Sequence, residues 1–121
     1  MRVELRKDYT FEAAHRLPHL PPDHKCYRMH GHSFRVEVCV AGEVDEKLGW
    51  LQDYGEITEI VEPLLKKELD HRALNDVPGL ENPTSEMLCR WLWRRLAPSL
   101  PKLAEITVHE TCAARCTYRG D

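Results

Sequence analysis

The residues best suited to chemistry lie between Cys26 and His32. A thiol at Cys26 precedes two histidines, His30 and His32, which are separated only by Gly31. Imidazole and thiolate are ligands that zinc prefers, with Zn–N bonds of about 2.0–2.1 Å. Glycine lacks a Cβ, so Gly31 can permit a tight bend or the close approach of a ligand. The stretch predicts a metal centre, provided that more distant residues converge on it.

A third ligand would have to come from outside the segment between Cys26 and His32. Residues 30–41 alternate between apolar and polar side chains, which predicts a strand. Side chains two apart on a strand share a face, so His30 and His32 point the same way, with Cα atoms roughly 6.5 Å apart. His15 has the buried parity of another predicted strand, residues 3–15, and we expect these two strands to pair. Three histidines and an open position are typical of catalytic zinc. The alternative is a pair of ordinary histidines at a strand start.

Cys26 has three interpretations that the sequence leaves open. It lies in a loop beside His24 and Lys25. Nearby positive charge favours the thiolate, which is the better base or nucleophile. Cys26 is equally compatible with a fourth zinc ligand, which would close the site, or with an unreactive loop thiol.

Asp70 and His71 follow the first predicted helix directly. A carboxylate can orient an imidazole and stabilise its charged form, which would make His71 a proton donor or relay. The alternative is a histidine at a helix C-terminus that interacts with the helix dipole. Spacing alone favours this alternative.

Glu110 falls within a predicted strand, residues 106–112, on the face of Ile106 and Val108. A buried carboxylate is costly without a partner. Glu110 therefore indicates a buried salt bridge, a break in the register, or a receptor for a ligand with two adjacent N–H donors, since a carboxylate accepts two parallel hydrogen bonds.

The elements that must position these residues follow in a clear order. A turn over 42–49 is expected to return through a short hairpin strand, and a last short strand is expected at 116–119. Asp53 is expected to cap the first helix, with Glu56 in the capping-box position. Pro63 should kink this helix, which is expected to end around Leu69.

The second helix is expected to start near residues 83–86, with Asn82 or Thr84 as its cap, and to end at Pro98. The resulting order, β-β-α-α-β-β, predicts an α+β fold with an antiparallel sheet and both helices on one face. Open sheet edges are usually paired or covered, which makes oligomerisation through them plausible.

Size and composition restrict the function classes. The 121 residues predict a single domain, residues 1–121. A formal charge of −3 and a pI near 6.2 argue against a nucleic-acid partner. No apolar run reaches the roughly 18 residues that a membrane span requires. Five cysteines without a regular framework, and no apolar signal core near the N-terminus, predict reduced thiols in a cytoplasmic protein.

Taken together, the motifs resemble the 6-pyruvoyltetrahydropterin synthase superfamily. The resemblance covers nearly the whole chain, and the motifs come in the family's order. They are Phe11–His15, Cys26-x3-His30-Gly31-His32, Leu69-Asp70-His71, Asn82–Glu86 and Glu110-Thr111. Within the superfamily, the chain is most similar to the bacterial carboxy-forming synthases of queuosine biosynthesis. The three-residue gap between Cys26 and His30 indicates that subgroup, since the pyruvoyl-forming enzymes usually have a longer gap.

The resemblance implies a fold, an assembly and a cofactor. The fold would be the tunnelling fold, whose subunits join edge to edge into a trimeric barrel, with two trimers stacked as a hexamer and active sites at subunit interfaces. Zn²⁺ would be held by His15, His30 and His32.

The resemblance also implies roles for the remaining residues. Cys26 would be the general base, Asp70 and His71 the proton relay, and Glu110 the anchor of a pterin ring. The substrate would be 7,8-dihydroneopterin triphosphate, and the products 6-carboxy-5,6,7,8-tetrahydropterin, acetaldehyde and triphosphate. Lys25 and Arg28 are candidates for the phosphates from position and charge alone.

Three alternatives remain at this point. One is a pyruvoyl-forming synthase with the same site and another product. Another is a pterin- or metal-binding module without catalysis. The last is a purely structural zinc domain, which would leave Asp70, His71 and Glu110 unexplained.

Overall fold

The computed structural model describes all 121 residues as a five-stranded sheet with two α-helices and two single-turn 3-10 helices. The strands are β1 (Arg2–His15), β2 (His30–Glu43), β3 (Arg72–Ala73), β4 (Leu103–His109) and β5 (Arg115–Tyr118). The helices are α1 (Tyr54–Glu68) and α2 (Ser85–Leu96), and the 3-10 turns are Lys25–Tyr27 and Leu74–Asp76.

The sheet has the strand order β3-β1-β2-β4-β5, and every pairing is antiparallel except β3 with β1. The register between β1 and β2 places Phe11 opposite Phe34 and His15 opposite His30. Alternate residues of a strand share a face. The histidines therefore continue the row of apolar side chains at one end of the two longest strands.

The hydrophobic core lies between this apolar sheet face and the two helices. Phe11 and Phe34 stack with ring centroids 5.0 Å apart. Buried side chains of α1 and α2 belong to the same cluster as those of β1, β2 and β4. The predicted α+β plan, with both helices on one face, is confirmed.

The opposite sheet face carries a network of charged side chains and no helix. We call it the Arg6 network: Arg6 contacts Glu37 Oε1 at 2.9 Å, Glu105 Oε1 at 2.6 Å and Glu4 Oε2 at 2.9 Å. Arg119 contacts the other oxygen of Glu105 at 3.0 Å. An antiparallel sheet can hold such a polar face because only one of its faces needs to pack on the core.

The helix caps follow the sequence closely. The Asp53 side chain accepts a hydrogen bond from Gly55 N, and the Thr84 side chain accepts one from Met87 N. The Glu56 carboxylate accepts no hydrogen bond from Asp53 N, and the Asp53 side chain accepts from Gly55 N and not from Glu56 N, so the predicted capping box is absent. α1 continues through Pro63 to Glu68, with Leu69 as its C-cap.

The structure differs from the sequence prediction in three strand features. The hairpin strand expected after the 42–49 turn is reduced to one bridge, between Asp45 and Trp50. β3, which has only two residues, was not predicted, because two residues show no periodicity. The strand predicted to reach Cys112 ends at His109, because Glu110 N and Thr111 N both donate to Ala114 O in a turn. Glu110 therefore lies past the strand end, and the prediction that it belongs to the strand is wrong.

Neither helix combines the length and the apolar character that crossing a membrane would require.

Candidate metal centre and active site

Three histidines meet at the end of the β1–β2 pair. The ring centroids of His15 and His30 lie 4.6 Å apart, and those of His30 and His32 lie 4.9 Å apart. One ligand atom from each of these histidines and from Glu110 lies within 4.8 Å of all the others. The antiparallel register places His30 directly opposite His15, while a two-residue step brings His32 to the same face.

Two of these histidines are held by backbone carbonyls. His15 Nδ1 lies 2.9 Å from Pro83 O, and His30 Nδ1 lies 2.7 Å from Arg28 O. A carbonyl oxygen can only accept, so Nδ1 carries the proton in both rings and Nε2 keeps its lone pair. Metal-binding histidines commonly use this arrangement.

Burial keeps His15 suited to metal binding. The residue is 1% exposed, and this burial lowers the pKa of its imidazole, while the Pro83 carbonyl and the Glu110 carboxylate act in the opposite direction. Desolvation disfavours the charged form of an imidazole. The neutral form, which binds metals, is therefore favoured at neutral pH.

The side chains fit zinc. Nε2 of His15 and Nε2 of His32 are buried and have no hydrogen-bond partner. A buried polar atom without a partner is costly, and a cation shared by both nitrogens removes that cost. Three imidazoles and one carboxylate are also a donor set that zinc accepts.

Glu110 joins this cluster from the turn after β4. Its Oε1 lies 3.1 Å from His15 Nε2 and 3.2 Å from His32 Nε2. Ser85 Oγ, at the start of α2, donates to Oε2 at 3.3 Å. The sequence singled out Glu110 but gave no sign that it lies against the histidines, because that position depends on the turn.

Asp70 and His71 form a pair in the structure. His71 Nδ1 lies 2.9 Å from Asp70 Oδ2, and Asp70 Oδ1 accepts from Glu12 N at 2.8 Å. The Glu12 amide, followed by His71, lowers the pKa of the Asp70 carboxyl. The geometry therefore differs from the alternative that spacing alone favours, in which His71 only interacts with the dipole at the C-terminus of a helix.

A left-handed backbone at His71, φ 59°, makes this pairing possible. This conformation is uncommon for residues other than glycine. His71 N donates to Glu12 O, and the following residue, Arg72, pairs with Ala13 as the first residue of β3. The short strand missed by the sequence thus fixes the position of His71 beside β1.

One cleft of about 680 Å³ connects the two groups of residues, since both His32 and His71 line it. Its other lining residues are Glu12, Ala13, Ala14, Gly31, Ser33, Arg72 and Ala73. Gly31 lies within the extended strand β2, so the tight bend that a glycine permits is not used there. A cleft of this volume falls in the range of small-molecule sites.

Cys26 lies in the 3-10 turn Lys25–Tyr27, and its side chain is outside the four-residue cluster. It is a free, partly buried cysteine. The turn is held by His24, whose Nδ1 accepts from Cys26 N at 3.0 Å. Lys25 and Arg28 are exposed and form no ion pair. Their predicted roles, and that of Cys26, stay predictions.

Fold and site together define an α+β protein with a three-histidine cluster that could hold a metal ion and a carboxylate–imidazole pair, and one residue of each group lines a common cleft. The sequence profile described as 6-pyruvoyl tetrahydropterin synthase matches residues 4–121. The chain belongs to this family, and it is an enzyme of pterin metabolism of the lyase class.

Similar proteins carry three different names. The 6-carboxy-5,6,7,8-tetrahydropterin synthase of Synechocystis sp. is 41% identical over 117 residues, covering 93% of this chain and 89% of the relative. The dihydroneopterin monophosphate aldolase of Pyrococcus furiosus is 35% identical over 113 residues, 91% of each chain. The structure of Caenorhabditis elegans 6-pyruvoyl tetrahydropterin synthase superposes with a TM-score of 0.90 at 28% identity, covering 100% of this chain and 97% of the other. Membership of the family therefore leaves the reaction to be decided.

Proposed function

We propose that the protein is a zinc-dependent 6-carboxy-5,6,7,8-tetrahydropterin synthase that acts in queuosine biosynthesis. The substrate is 7,8-dihydroneopterin triphosphate, and the products are 6-carboxy-5,6,7,8-tetrahydropterin, acetaldehyde and triphosphate, with one water consumed. The single observation that carries the chemistry is the cleft shared by His32 of the histidine cluster and His71 of the Asp70–His71 pair.

His15, His30 and His32 hold the zinc in this proposal. Zinc, when bound, supplies Lewis-acid stabilisation of negative charge on substrate oxygens. Two imidazoles are oriented by backbone carbonyls, so the chain presents their Nε2 atoms without rearrangement. Such preorganisation avoids an orientational cost during the reaction.

Cys26 and His71 carry out the proton transfers in this proposal. The Cys26 thiolate takes a proton from the substrate side chain, and His71 returns one. Asp70 holds His71 through Nδ1, which leaves Nε2 for the proton transfer. Loss of triphosphate and hydrolytic cleavage of the bond between the first two side-chain carbons, which consumes the water, then leave a carboxylate on the ring and release acetaldehyde.

The choice of product rests on the sequence. The gap of three residues between Cys26 and His30 is the spacing of the carboxy-forming subgroup, and the Synechocystis protein is 41% identical over 117 residues. The second candidate is 6-pyruvoyl tetrahydropterin synthase activity, which is favoured by the structural likeness to the C. elegans protein, TM-score 0.90.

Product analysis separates the two candidates. Zinc-replete protein is incubated with 7,8-dihydroneopterin triphosphate, and triphosphate, acetaldehyde and the pterin are quantified together. We expect one acetaldehyde per triphosphate. Triphosphate released without acetaldehyde would favour the pyruvoyl product, and no triphosphate release would favour a non-catalytic binding module.

The proposal includes self-association through the unpaired edge of β1. β3 covers β1 only at Ala13 and Ala14, so most of the outer edge of this fourteen-residue strand is unpaired. Exposed strand edges recruit further strands. We expect a trimer or hexamer with active sites at subunit interfaces, and analytical ultracentrifugation checks it. A monomer at assay concentration would contradict interfacial sites.

A further inference from the structure

Glu110 lies close to two of the three histidines that would hold the metal. Its Oε1 approaches His15 Nε2 and His32 Nε2 to 3.1 and 3.2 Å. Neither nitrogen nevertheless has a hydrogen-bond partner. Polar atoms that approach this closely without forming a hydrogen bond are what ligands converging on a common cation show.

The chemistry of the donors points the same way. His15 Nδ1 donates to Pro83 O, so Nε2 of this ring presents a lone pair. Glu110 presents carboxylate oxygens, which are also acceptors. Two acceptors at 3.1 Å repel unless a cation lies between them. In a tetrahedron with Zn–N bonds of about 2.0–2.1 Å, neighbouring ligand atoms are about 3.3 Å apart, close to the spacing seen here.

We propose that Glu110 is a displaceable fourth zinc ligand, which holds the metal before substrate binds and leaves it when the pterin ring arrives. The inference rests on the proposed function for the identity of the ring. Recognition of two adjacent N–H donors requires both carboxylate oxygens to face the ring, whereas Oε1 of Glu110 here faces the histidine nitrogens. Glu110 therefore cannot serve the metal and the ring at once.

The surroundings of Glu110 suit such a movement. The residue follows the last residue of β4 and lies in a turn whose residues 111–114 are all exposed. Its side chain is 29% exposed. Ser85 Oγ donates to Oε2 from another element, which gives the carboxylate a partner away from the histidines. Ring binding thus frees one zinc position for the substrate side chain.

Zinc affinity without substrate tests the ligand role. The variants are Glu110→Gln, Glu110→Asp and, as a control, Glu59→Gln, which removes an exposed α1 carboxylate outside any ion pair. Competition with a chelator measures the zinc Kd. Loss of a ligand should weaken zinc by at least about tenfold in both Glu110 variants and not in the control.

The two Glu110 variants separate ligation from charge. Aspartate keeps the charge but shortens the reach by one methylene. If Glu110→Asp retains full zinc affinity while Glu110→Gln loses zinc affinity, the carboxylate acts only through its negative charge, and the ligand role is wrong. Unchanged affinity in both folded variants, judged by thermal unfolding, also overturns it.

Displacement is tested with the cobalt-substituted protein and unsubstituted pterin, which has ring donors but no side chain. Pterin fluorescence reports binding, and the visible cobalt spectrum reports the ligands. We expect pterin to change the spectrum of the wild-type protein and to leave that of Glu110→Gln unchanged. Binding without a spectral change in the wild type overturns displacement. These measurements need no turnover, so they can succeed even if the acetaldehyde assay fails.

Discussion

Two side-chain clusters, the Arg6 network on the polar sheet face and the histidine cluster at the end of the apolar face, gather groups from distant strands and differ in whether those groups satisfy one another. On the polar face, the Arg6 network satisfies its own charges, because Arg6 contacts three carboxylates and Arg119 contacts the free oxygen of Glu105. In the histidine cluster, two buried imidazole nitrogens without a hydrogen-bond partner converge on one carboxylate oxygen. The third such nitrogen of the structure, His109 Nε2, lies on the polar face, where Arg35 contacts only the Nδ1 atom of that ring. Groups that satisfy one another serve the fold, whereas groups that converge unsatisfied indicate a ligand.

The largest effect is expected from removing one imidazole of the histidine cluster. His30→Ala removes one of three imidazoles, and we expect zinc affinity to fall by more than about 100-fold, beyond the loss typical of outer partners. Metal analysis after dialysis checks this. His19→Ala is the matched control, because His19 is exposed and makes no hydrogen bond. Retention of zinc by His30→Ala would show that the cluster is not the metal site.

A second change separates metal binding from proton transfer. Cys26→Ala should lower turnover by about 10²–10⁴-fold, the range typical of a general base, while zinc stays bound, because the thiol lies outside the cluster. Cys112→Ala, at a free cysteine that is exposed, is the control. Zinc loss with Cys26 would instead make the thiol a ligand.

Asp70→Asn tests the positioning of His71. The change keeps the size of the side chain but removes the charge beside His71 Nδ1. We expect kcat to fall by up to about 100-fold, with zinc content unchanged and the pH profile of kcat displaced. A fall in activity with an unaltered profile would indicate a purely structural role.

The smallest effect is expected from a change in the Arg6 network on the polar face. Hydrogen bonding to Arg6 lowers the pKa of the Glu105 carboxyl from its ordinary value of 4.5. A depressed folded-state pKa stabilises the protein above the ordinary value, and that stability is lost as pH falls through the folded value. Glu105→Gln should cost about 1 kcal/mol at neutral pH, because Arg6 is 41% exposed and solvent screens the pair.

Chemical unfolding at pH 7 and below pH 4.5 checks this prediction. The difference between wild type and variant should shrink in acid, while zinc binding is the same in both. A loss of zinc in Glu105→Gln would mean that the two sheet faces are coupled and that the comparison fails.

Much of the fold could be predicted because it follows local rules. Alternating side chains identified β1 and β2, and the spacing of Ile57, Val61 and Leu65 identified α1, whose buried residues they are. The end of β4 could not be predicted in this way. The alternation of side chains continues past His109, and only the hydrogen bonds of the following turn end the strand there.

Which side chains are available, and which strand face each of them occupies, follows from the sequence alone, because parity is a local property of the backbone. Parity brings His30 and His32 to one face and makes His15 a reasonable third ligand. Only the tertiary structure decided what meets them. The β1–β2 register sets His15 opposite His30, β3 pairing places His71, and a turn brings Glu110 against the histidines. Those contacts join residues far apart in the chain, and no local pattern encodes them.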